Sequence, residues 1–317
     1  HQDFTGEFRF RLLDLAQAAE LTLGTPVTGR LTPANQTDAY RFTAAAGEQF
    51  FFDRQAETAG NAWWRLLDPH GRVVWGPTDF GTDDGLRTLA LAGDYTLLVE
   101  GRRNAVGSNG YTFNVHRVAT GSTALLLDQT VAGAITQPGQ VQLHTFTLAA
   151  DGLLLFDALT NSTSFKWSLS GPRGSVVAPR NFADSDSNDF VSNPVLDLVA
   201  GDYQLLVDAD NDITGNYGFV LRDLSAATTI AIGDTVTGTL NPGNSTQLLR
   251  FDAQARDRLR LDLISESRNS AYWRLINPFA GVVFGPSATD DVVFTTPYDG
   301  SYYLLLEGRI SEATAVD

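Results

Sequence analysis

The sequence predicts an all-β protein of three tandem antiparallel β-sandwiches, jelly-roll-like, preceded by an orphan N-terminal strand. The first observation is a Trp-centred pattern that occurs at 63–77, 166–177 and 272–286. Each copy alternates Trp and Leu with other residues, then has a Pro/Gly turn and a short apolar return strand, which is typical of a β-hairpin. Because self-similarity at a regular spacing defines repeat architectures, the copies divide the chain into three units of about 100 residues.

The second observation is that strand signals follow the same order in each unit. A Gly-x-x-Val-x-Gly-x-Leu strand comes first, then a Pro-containing turn, a strand with inward aromatic or Leu residues, and a strand ending in Phe-Asp or Leu-Asp. The Trp hairpin, an Asp-rich loop and a Gly-x-Tyr strand complete the order; the Gly-x-Tyr copies lie at 93–102, 201–208 and 300–309. About seven or eight short strands with frequent turns, and no convincing helical pattern, favour sandwiches.

The repeats also set the predicted domain boundaries. A closing strand of a preceding or neighbouring repeat occupies 1–18, and the sandwiches occupy 19–119, 120–226 and 227–317. The joins are short and contain no Pro-, Gly- or Ser-rich linker, so neighbouring sandwiches are expected to abut with limited freedom. The third sandwich is expected to lack its last strand.

Charge and composition exclude several classes of partner. The formal net charge is -15, whereas a nucleic-acid-binding protein is normally basic. No apolar stretch reaches the length of a membrane span. The sequence contains no Cys, so apolar packing has to stabilise each core without disulfides.

The sequence favours a protein that is not an enzyme. The four His residues, His1, His70, His116 and His144, form no His-Glu-x-x-His pattern, and no Gly-x-Ser-x-Gly elbow occurs. His70 lies in the hairpin turn, where the other repeats carry Arg173 or Phe279, so the repeats share no chemical requirement at this position.

Two acidic runs in the second repeat are the candidate metal site. They present oxygen ligands at alternating positions, as calcium prefers. The candidate ligands are Asp184, Asp186, Asp189, Asp208, Asp210 and Asp212. The alternative is that both runs are solvated loops, because neither has EF-hand spacing. Calcium binding would be supported if EDTA lowered the melting temperature of the unaltered chain and had no effect after removal of Asp208, Asp210 and Asp212.

Two Trp residues are candidates for ligand or protein contact. The alternation places Trp64, Trp167 and Trp273 inward with Leu residues, whereas Trp63 lies on the opposite face. Trp63 and Trp75 could together stack on an extracellular glycan. The alternative is a contact between domains or subunits.

The orphan strand gives the sharpest prediction. Phe8, Phe10 and Leu12 alternate with Arg residues, so 7–13 is predicted to be a half-buried strand like the strands that close the first two repeats. In one hypothesis the chain is part of a longer covalent array. In the other, separate copies join head to tail, each donating this strand to the third repeat of its neighbour. Either gives a linear assembly, because an interface that does not close produces filaments.

The ordered motifs together resemble a known family. Trp-Arg-Leu at 64–66 and 273–275, and Gly-x-Tyr strands ending in Glu-Gly-Arg at 100–102 and 307–309, are similar to the bacterial pre-peptidase C-terminal domain. Each of the three repeats shows this resemblance, so that together it covers nearly the whole chain, although the second repeat lacks several of these residues. It implies a jelly-roll-like sandwich, a secreted or bacterial-surface location and an accessory role, with calcium or carbohydrate bound in some members.

These observations predict a non-enzymatic structural repeat protein that forms a stalk, fibre or filament from copies or repeats joined head to tail. The alternative is a carbohydrate- or matrix-binding accessory module of a secreted bacterial enzyme or adhesin.

Overall fold

The protein is known from a computed structural model that describes residues 9–118 and 121–312. These residues form strands and loops, with 3-10 turns at Leu15–Gln17, Phe182–Asp184, Ser187–Asp189 and Leu224–Ala226. The predicted all-β fold is confirmed. The chain divides into two compact units, His1–Ala119 and Thr120–Asp317. The first unit contains the first repeat, and the second contains the other two.

Within the described ranges, no helix combines the length and apolar character that a membrane crossing requires.

The first repeat is a sandwich of a five-stranded and a four-stranded sheet. Its strands are β1 (Ala19–Glu20), β2 (Val27–Leu31), β3 (Thr37–Ala44), β4 (Gln49–Glu57), β5 (Ala62–Leu67), β6 (Val73–Asp79), β7 (Gly85–Thr88), β8 (Gly93–Gly101) and β9 (Asn109–Val118). The sheet orders are β1-β3-β8-β5-β6 and β2-β9-β4-β7. The last strand, β9, therefore lies inside its sheet, between β2 and β4.

The second repeat has the same architecture. Its strands are β10 (Gly121–Ala124), β11 (Thr130–Ile135), β12 (Gln142–Leu148), β13 (Gly152–Ala158), β14 (Phe165–Gly171), β15 (Gly174–Asn181), β16 (Val195–Leu198), β17 (Gly201–Ala209) and β18 (Gly215–Asp223). They form sheets in the orders β10-β12-β17-β14-β15 and β11-β18-β13-β16. Again the last strand, β18, is flanked on both sides.

The third repeat has a complete first sheet and a reduced second sheet. Its strands are β19 (Thr228–Thr229), β20 (Thr246–Ala253), β21 (Arg258–Leu261), β22 (Ala271–Ile276), β23 (Val282–Ala288), β24 (Val292–Thr295) and β25 (Gly300–Gly308). The five-stranded sheet has the order β19-β20-β25-β22-β23, whereas the described part of the second sheet consists of β21 and β24.

The strands pair antiparallel as predicted, except at one edge of each five-stranded sheet. There, β1, β10 and β19 pair in parallel with β3, β12 and β20. In each case a long connection separates the short edge strand from its partner in the chain. Two parallel strands require such a connection.

The cores of the first two repeats consist of inward residues from both sheets. Trp64 and Trp167, at equivalent positions, are fully buried and confirm the prediction that this Trp is a core residue. Trp64 packs edge-on against Trp75 and Phe80, whereas Trp167 stacks on Phe156 with ring centroids 3.8 Å apart. These side chains lie between the sheets and hold them together by apolar burial.

The predicted strand at 7–13 does not form within the described part of this segment. Residues 9–14 are irregular, and the side chains of Phe10 and Leu12 are 81% and 92% exposed. Phe8 lies outside the described residues. A strand requires a neighbouring edge with which to exchange backbone hydrogen bonds, so the alternation pattern alone does not produce one.

Candidate assembly interface

The second and third repeats share an apolar junction. Leu155 and Leu224 of the second repeat pack with Leu248, Ile276 and Leu305 on the outer face of the third repeat's five-stranded sheet. Leu155, Leu224, Ile276 and Leu305 are fully buried. Burial of this kind contributes about 25 cal/mol for each Å² of apolar surface removed from water, so the contact fixes the two sandwiches against each other.

A buried ion pair completes this junction. The Arg274 guanidinium on β22 donates from Nε to Glu307 Oε2 at 2.9 Å, and both side chains are fully buried. Its Nη atoms donate to the carbonyl oxygens of Ser187, Phe190 and Ser192, each at 2.9 Å. The loop of the second repeat therefore wraps around a cation of the third. A buried charge is costly unless its donors are hydrogen-bonded, and the guanidinium of Arg274 meets this condition.

A second buried carboxylate crosses the junction in the opposite direction. Asp157, at the end of β13, accepts hydrogen bonds from the backbone N–H of Thr246 at 3.1 Å and from its Oγ1 at 3.0 Å. Arg222 Nε donates to the same carboxylate at 2.6 Å. Because Thr246 begins β20, this contact joins β20 of the third repeat to β13 of the second, and Arg222 on β18 pairs with the same carboxylate.

A third carboxyl group, that of Asp186, lies near these ions. Burial raises the pKa of Asp186 well above its ordinary value, and the negative charges of Asp157 and Glu307 raise it further. The Ala158 N–H, which donates to Asp186 Oδ2 at 2.6 Å, and the charge of Arg274 act in the opposite direction. Two guanidinium groups, those of Arg222 and Arg274, thus lie among three carboxyl groups, and the raised pKa of Asp186 favours its neutral form.

We expect the junction to weaken as pH rises. A group whose pKa is raised in the folded state stabilises that state fully below its ordinary pKa, about 4 for Asp, and this stabilisation is lost as pH rises through the raised value. The variant Asp186→Asn keeps the protonated group's neutrality, so its unfolding free energy should lose the share of this pH dependence that Asp186 contributes. The share from Asp157 and Glu307, whose pKa values burial also raises, should remain. Urea titrations between pH 4 and 9 measure it.

Asp184→Asn is the matched control for this prediction. Asp184 lies in the same loop but is exposed, where it accepts a hydrogen bond from Asn181 Nδ2. Its variant should retain the pH dependence of the unaltered chain. An Asp186→Asn chain that still loses stability with rising pH to the same extent contradicts the assignment to Asp186.

The third repeat contains an open groove in its second sheet. In the first two repeats this sheet has four strands, and the last strand of the repeat pairs with neighbours on both sides. In the third repeat β24 is the only described strand that pairs with β21, and the segment 235–239, which corresponds to β2 and β11, is irregular and exposed. We use the word groove for the position between β21 and this segment, which the central strand occupies in the other repeats and which no described strand occupies here.

A glycine of the third repeat occupies a position that lies under a tyrosine ring in the first two repeats. Gly29 and Gly133 lie under the rings of Tyr111 and Tyr217, and a Cβ built on either glycine would come within 2.3 Å of the ring. Gly238 is the third copy, and a Cβ there meets only the side chain of Gln247, at 3.0 Å. Gly238 thus has the form of a ring-binding position, but no ring from the described residues lies over it.

The core beside the groove is correspondingly less covered. Trp273 is only half-buried, whereas its counterparts Trp64 and Trp167 are fully buried. Leu261 on β21 is half-buried too, although Phe52 and Phe156 at its position are fully buried. Trp273 still packs against the core of the third repeat, as predicted, but it is covered less than Trp64 and Trp167 because no described strand lies at the centre of the sheet beside it.

The predicted calcium ligands do not come together. In the part of the chain that the structure describes, no three of Asp184, Asp186, Asp189, Asp208, Asp210 and Asp212 have carboxylate oxygens within 4.8 Å of one another. Asp186 belongs to the buried junction, and Asp210 pairs with Lys166. Asp208 accepts a hydrogen bond from the Ala209 N–H. Calcium binding at these residues stays a prediction without a supporting geometry.

The predicted aromatic platform is half right. Trp63 lies on the outer face as predicted, with the Arg102 guanidinium 5.0 Å from its ring centroid. Trp75 is only 7% exposed and belongs to the core, so its assignment to the platform is wrong. The reason is the register of the hairpin: Trp75 lies opposite Leu66, and directly opposed residues share a face.

The sequence analysis missed the residues that carry the junction. Arg274 and Glu307 were assigned to the repeat's family pattern, and Asp157 to a strand end. One signal was available: the first repeat has the same pair, Arg65 and Glu100, whereas the second repeat has neither an Arg before its central hairpin Leu nor a Glu in its Gly-x-Tyr strand.

Comparison with known proteins finds matches among solved structures alone. No family model matches the sequence, and no curated protein matches it. A solved structure of the pre-peptidase C-terminal domain of collagenase from Bacillus anthracis is 23% identical, with 31% of this chain and 94% of that domain covered and a TM-score of 0.27. This is a domain of the family that the sequence motifs resemble.

Two further solved structures are also similar. The periplasmic inhibitor of g-type lysozyme PliG from Aeromonas hydrophila is 13% identical, with 31% of this chain and 96% of the inhibitor covered and a TM-score of 0.24. The CUB1-EGF-CUB2 region of human MASP-1/3 is 8% identical, with 61% of this chain and 99% of that region covered and a TM-score of 0.21.

Proposed function

We propose that this chain is a non-enzymatic structural protein of the extracellular space, whose sandwiches are coupled end to end into a stalk, fibre or filament. In this proposal subunits or repeats are joined head to tail by strand complementation. The secreted or surface location follows from the family resemblance of the motifs, and the acidic composition favours solubility of a long assembly.

The observation that supports the proposal most is the junction between the second and third repeats. Flexibly linked domains normally share small, polar contacts. Here the contact combines an apolar cluster with the buried Arg274–Glu307 pair and the buried Asp157–Thr246 contact. Two sandwiches held in this way move as one body, which is the mechanical requirement of a stalk.

The rigidity of this junction can be measured directly. The sequence contains no Cys, so Gln137→Cys in the second repeat and Thr295→Cys in the third can be spin-labelled specifically. Both positions are exposed. Pulsed electron resonance should give one narrow distance distribution, and the additional change Glu307→Ala should broaden it. A broad distribution in the otherwise unaltered chain would remove the basis of the proposal.

A second candidate function is glycan binding at the outer face of the first repeat. A cleft of about 380 Å³ lies there, lined by Trp63, Arg65, Pro77, Glu100, Gly101, Arg102 and Arg103. An aromatic ring beside several polar groups is a common arrangement in small-ligand sites.

For this candidate, Trp63→Ala should weaken glycan binding about tenfold, or ~1.4 kcal/mol, because the ring supplies the stacking surface. A glycan array followed by calorimetry measures the loss. Tyr272→Ala, which alters the same position of the third repeat, is the control and should bind as the unaltered chain does. An unaltered chain without any array signal contradicts glycan binding.

A further inference from the structure

We infer that the open groove of the third repeat accepts residues 7–13 of a second copy of this chain, in the register that β18 has in the second repeat. The inference rests on the proposed function and names its partner. Phe8, Phe10 and Leu12 would lie where Tyr217, Phe219 and Leu221 lie in the complete sandwich.

The segment after residue 13 has the same structure as the segment after β18. Asp14 accepts a hydrogen bond from the Ala16 N–H at 3.1 Å, and Asp223 accepts one from the Ser225 N–H at 2.8 Å. A three-residue 3-10 turn follows each Asp, and then a two-residue strand that pairs in parallel with the next strand. Residues 9–13 therefore enter the first repeat as β18 enters the third.

This equivalence fixes the alignment of the segment. With Asp14 placed at Asp223, Phe10 corresponds to Phe219 and Leu12 to Leu221, which are both fully buried core residues. In the single chain Phe10 and Leu12 are instead 81% and 92% exposed. Apolar side chains with this exposure and this alternation are those of a strand that gains its burial in a partner.

The groove matches the segment position by position. In the second repeat the ring of Tyr217 lies over Gly133, and the same register places the ring of Phe8 over Gly238. Val131 lies opposite Phe219, and the same register places Val236, which is 41% exposed, opposite Phe10. The incoming aromatic residues would thus cover the glycine and the valine that the third repeat leaves open.

The charges match in the same register. Asp157 lies opposite Val220 on the outer face of the sheet, and the corresponding pair in the joined copies is Asp262 opposite Arg11. Opposite charges across a strand pair are favourable. In the single chain Arg11 Nη2 donates to the carbonyl oxygen of Thr37. Thr37 begins β3 as Thr246 begins β20, so Asp262 would meet Arg11 and Thr37 together.

Two variants test the donated segment and the accepting groove separately. Phe10→Asp removes the donor's central side chain, which is 81% exposed in the single chain. Gly238→Val fills the ring position of the acceptor, and in the single chain the atoms nearest to a Cβ at this position belong to the flexible side chain of Gln247. Phe279→Asp is the control, because Phe279 is also exposed, at 74%, but lies in a hairpin turn away from the groove.

The experiment uses the full chain and a fluorescent peptide of residues 5–14. The Phe10→Asp chain, whose own donor is disabled, should bind this peptide saturably. The double variant with Gly238→Val should bind it at least tenfold more weakly, and a peptide carrying Phe10→Asp should not bind. Sedimentation of the unaltered and Phe279→Asp chains should show oligomers that grow with concentration and are absent in Phe10→Asp.

Three results overturn the inference. They are a Phe10→Asp chain that does not bind the peptide, peptide binding that is unaffected by Gly238→Val, and an unaltered chain that stays monomeric at all concentrations. The last result would also arise if the groove were filled within one chain. If any of these occurs while the distribution of spin-label distances between the second and third repeats stays narrow, only this inference fails. The proposed rigid coupling of the two repeats is then still supported.

Discussion

Replacing Arg274 with Ala is expected to destabilise the second unit by about 3–5 kcal/mol. The variant leaves the Glu307 carboxylate buried without its cation, and three carbonyl oxygens of the loop 187–192 lose their donor. Urea unfolding followed by circular dichroism measures the loss. Hydrogen exchange should show faster exchange in the loop and in β22 than elsewhere in the unit.

Arg65→Ala is the matched control in the first repeat. Arg65 makes the same bond to Glu100, at 3.0 Å, but the two side chains are 29% and 24% exposed. Partly exposed pairs contribute about 1 kcal/mol or less, so this variant should change the unfolding free energy little. Equal losses in the two variants would mean that Arg274 acts within its own sandwich and does not stabilise the junction.

The second large effect is expected at the repeated core Trp. Trp167→Ala should cost about 3–5 kcal/mol, because it removes a fully buried ring stacked on Phe156 and leaves a cavity. Trp273→Ala should cost clearly less in the free chain, since Trp273 is half-buried beside the groove. Denaturant titrations monitored by hydrogen exchange assign each loss to its repeat.

Trp64→Ala is the control for this comparison, because it should behave like Trp167→Ala. Adding the peptide of residues 5–14 should increase the cost of Trp273→Ala, since the added strand would bury that ring. A Trp273→Ala variant that is as destabilised as Trp167→Ala without peptide would show that the third core is already closed.

The fold could be predicted in detail because its determinants are local. Alternation, turn residues and the threefold repeat identify the strands and the inward Trp64 and Trp167. Trp75 was misplaced because the β5–β6 hairpin contains register shifts, between Trp64 and Leu66 and between Leu66 and Leu67, which strict alternation does not foresee. A bulge changes the facing of every residue beyond it.

The candidate interface could be predicted only in part because its determinants are not local. The alternation at 7–13 and the order of the repeats predict a strand that joins a neighbouring sandwich, and this stays a prediction. The sequence did not identify the junction, where Arg274 meets carbonyl oxygens more than eighty residues away in the chain. The Asp-rich loop was predicted to bind calcium, whereas its Asp186 faces the junction's own arginine.

The central position of the last strand determines how these sandwiches bear tension. A pull along the chain enters the second repeat at β10 and leaves through β18, which is hydrogen-bonded to β11 and β13 on its two sides. Both ladders would be sheared at once and would not unzip bond by bond. A strand inserted from another molecule would carry force in the same way, so a non-covalent joint could resist traction nearly as well as the continuous polypeptide.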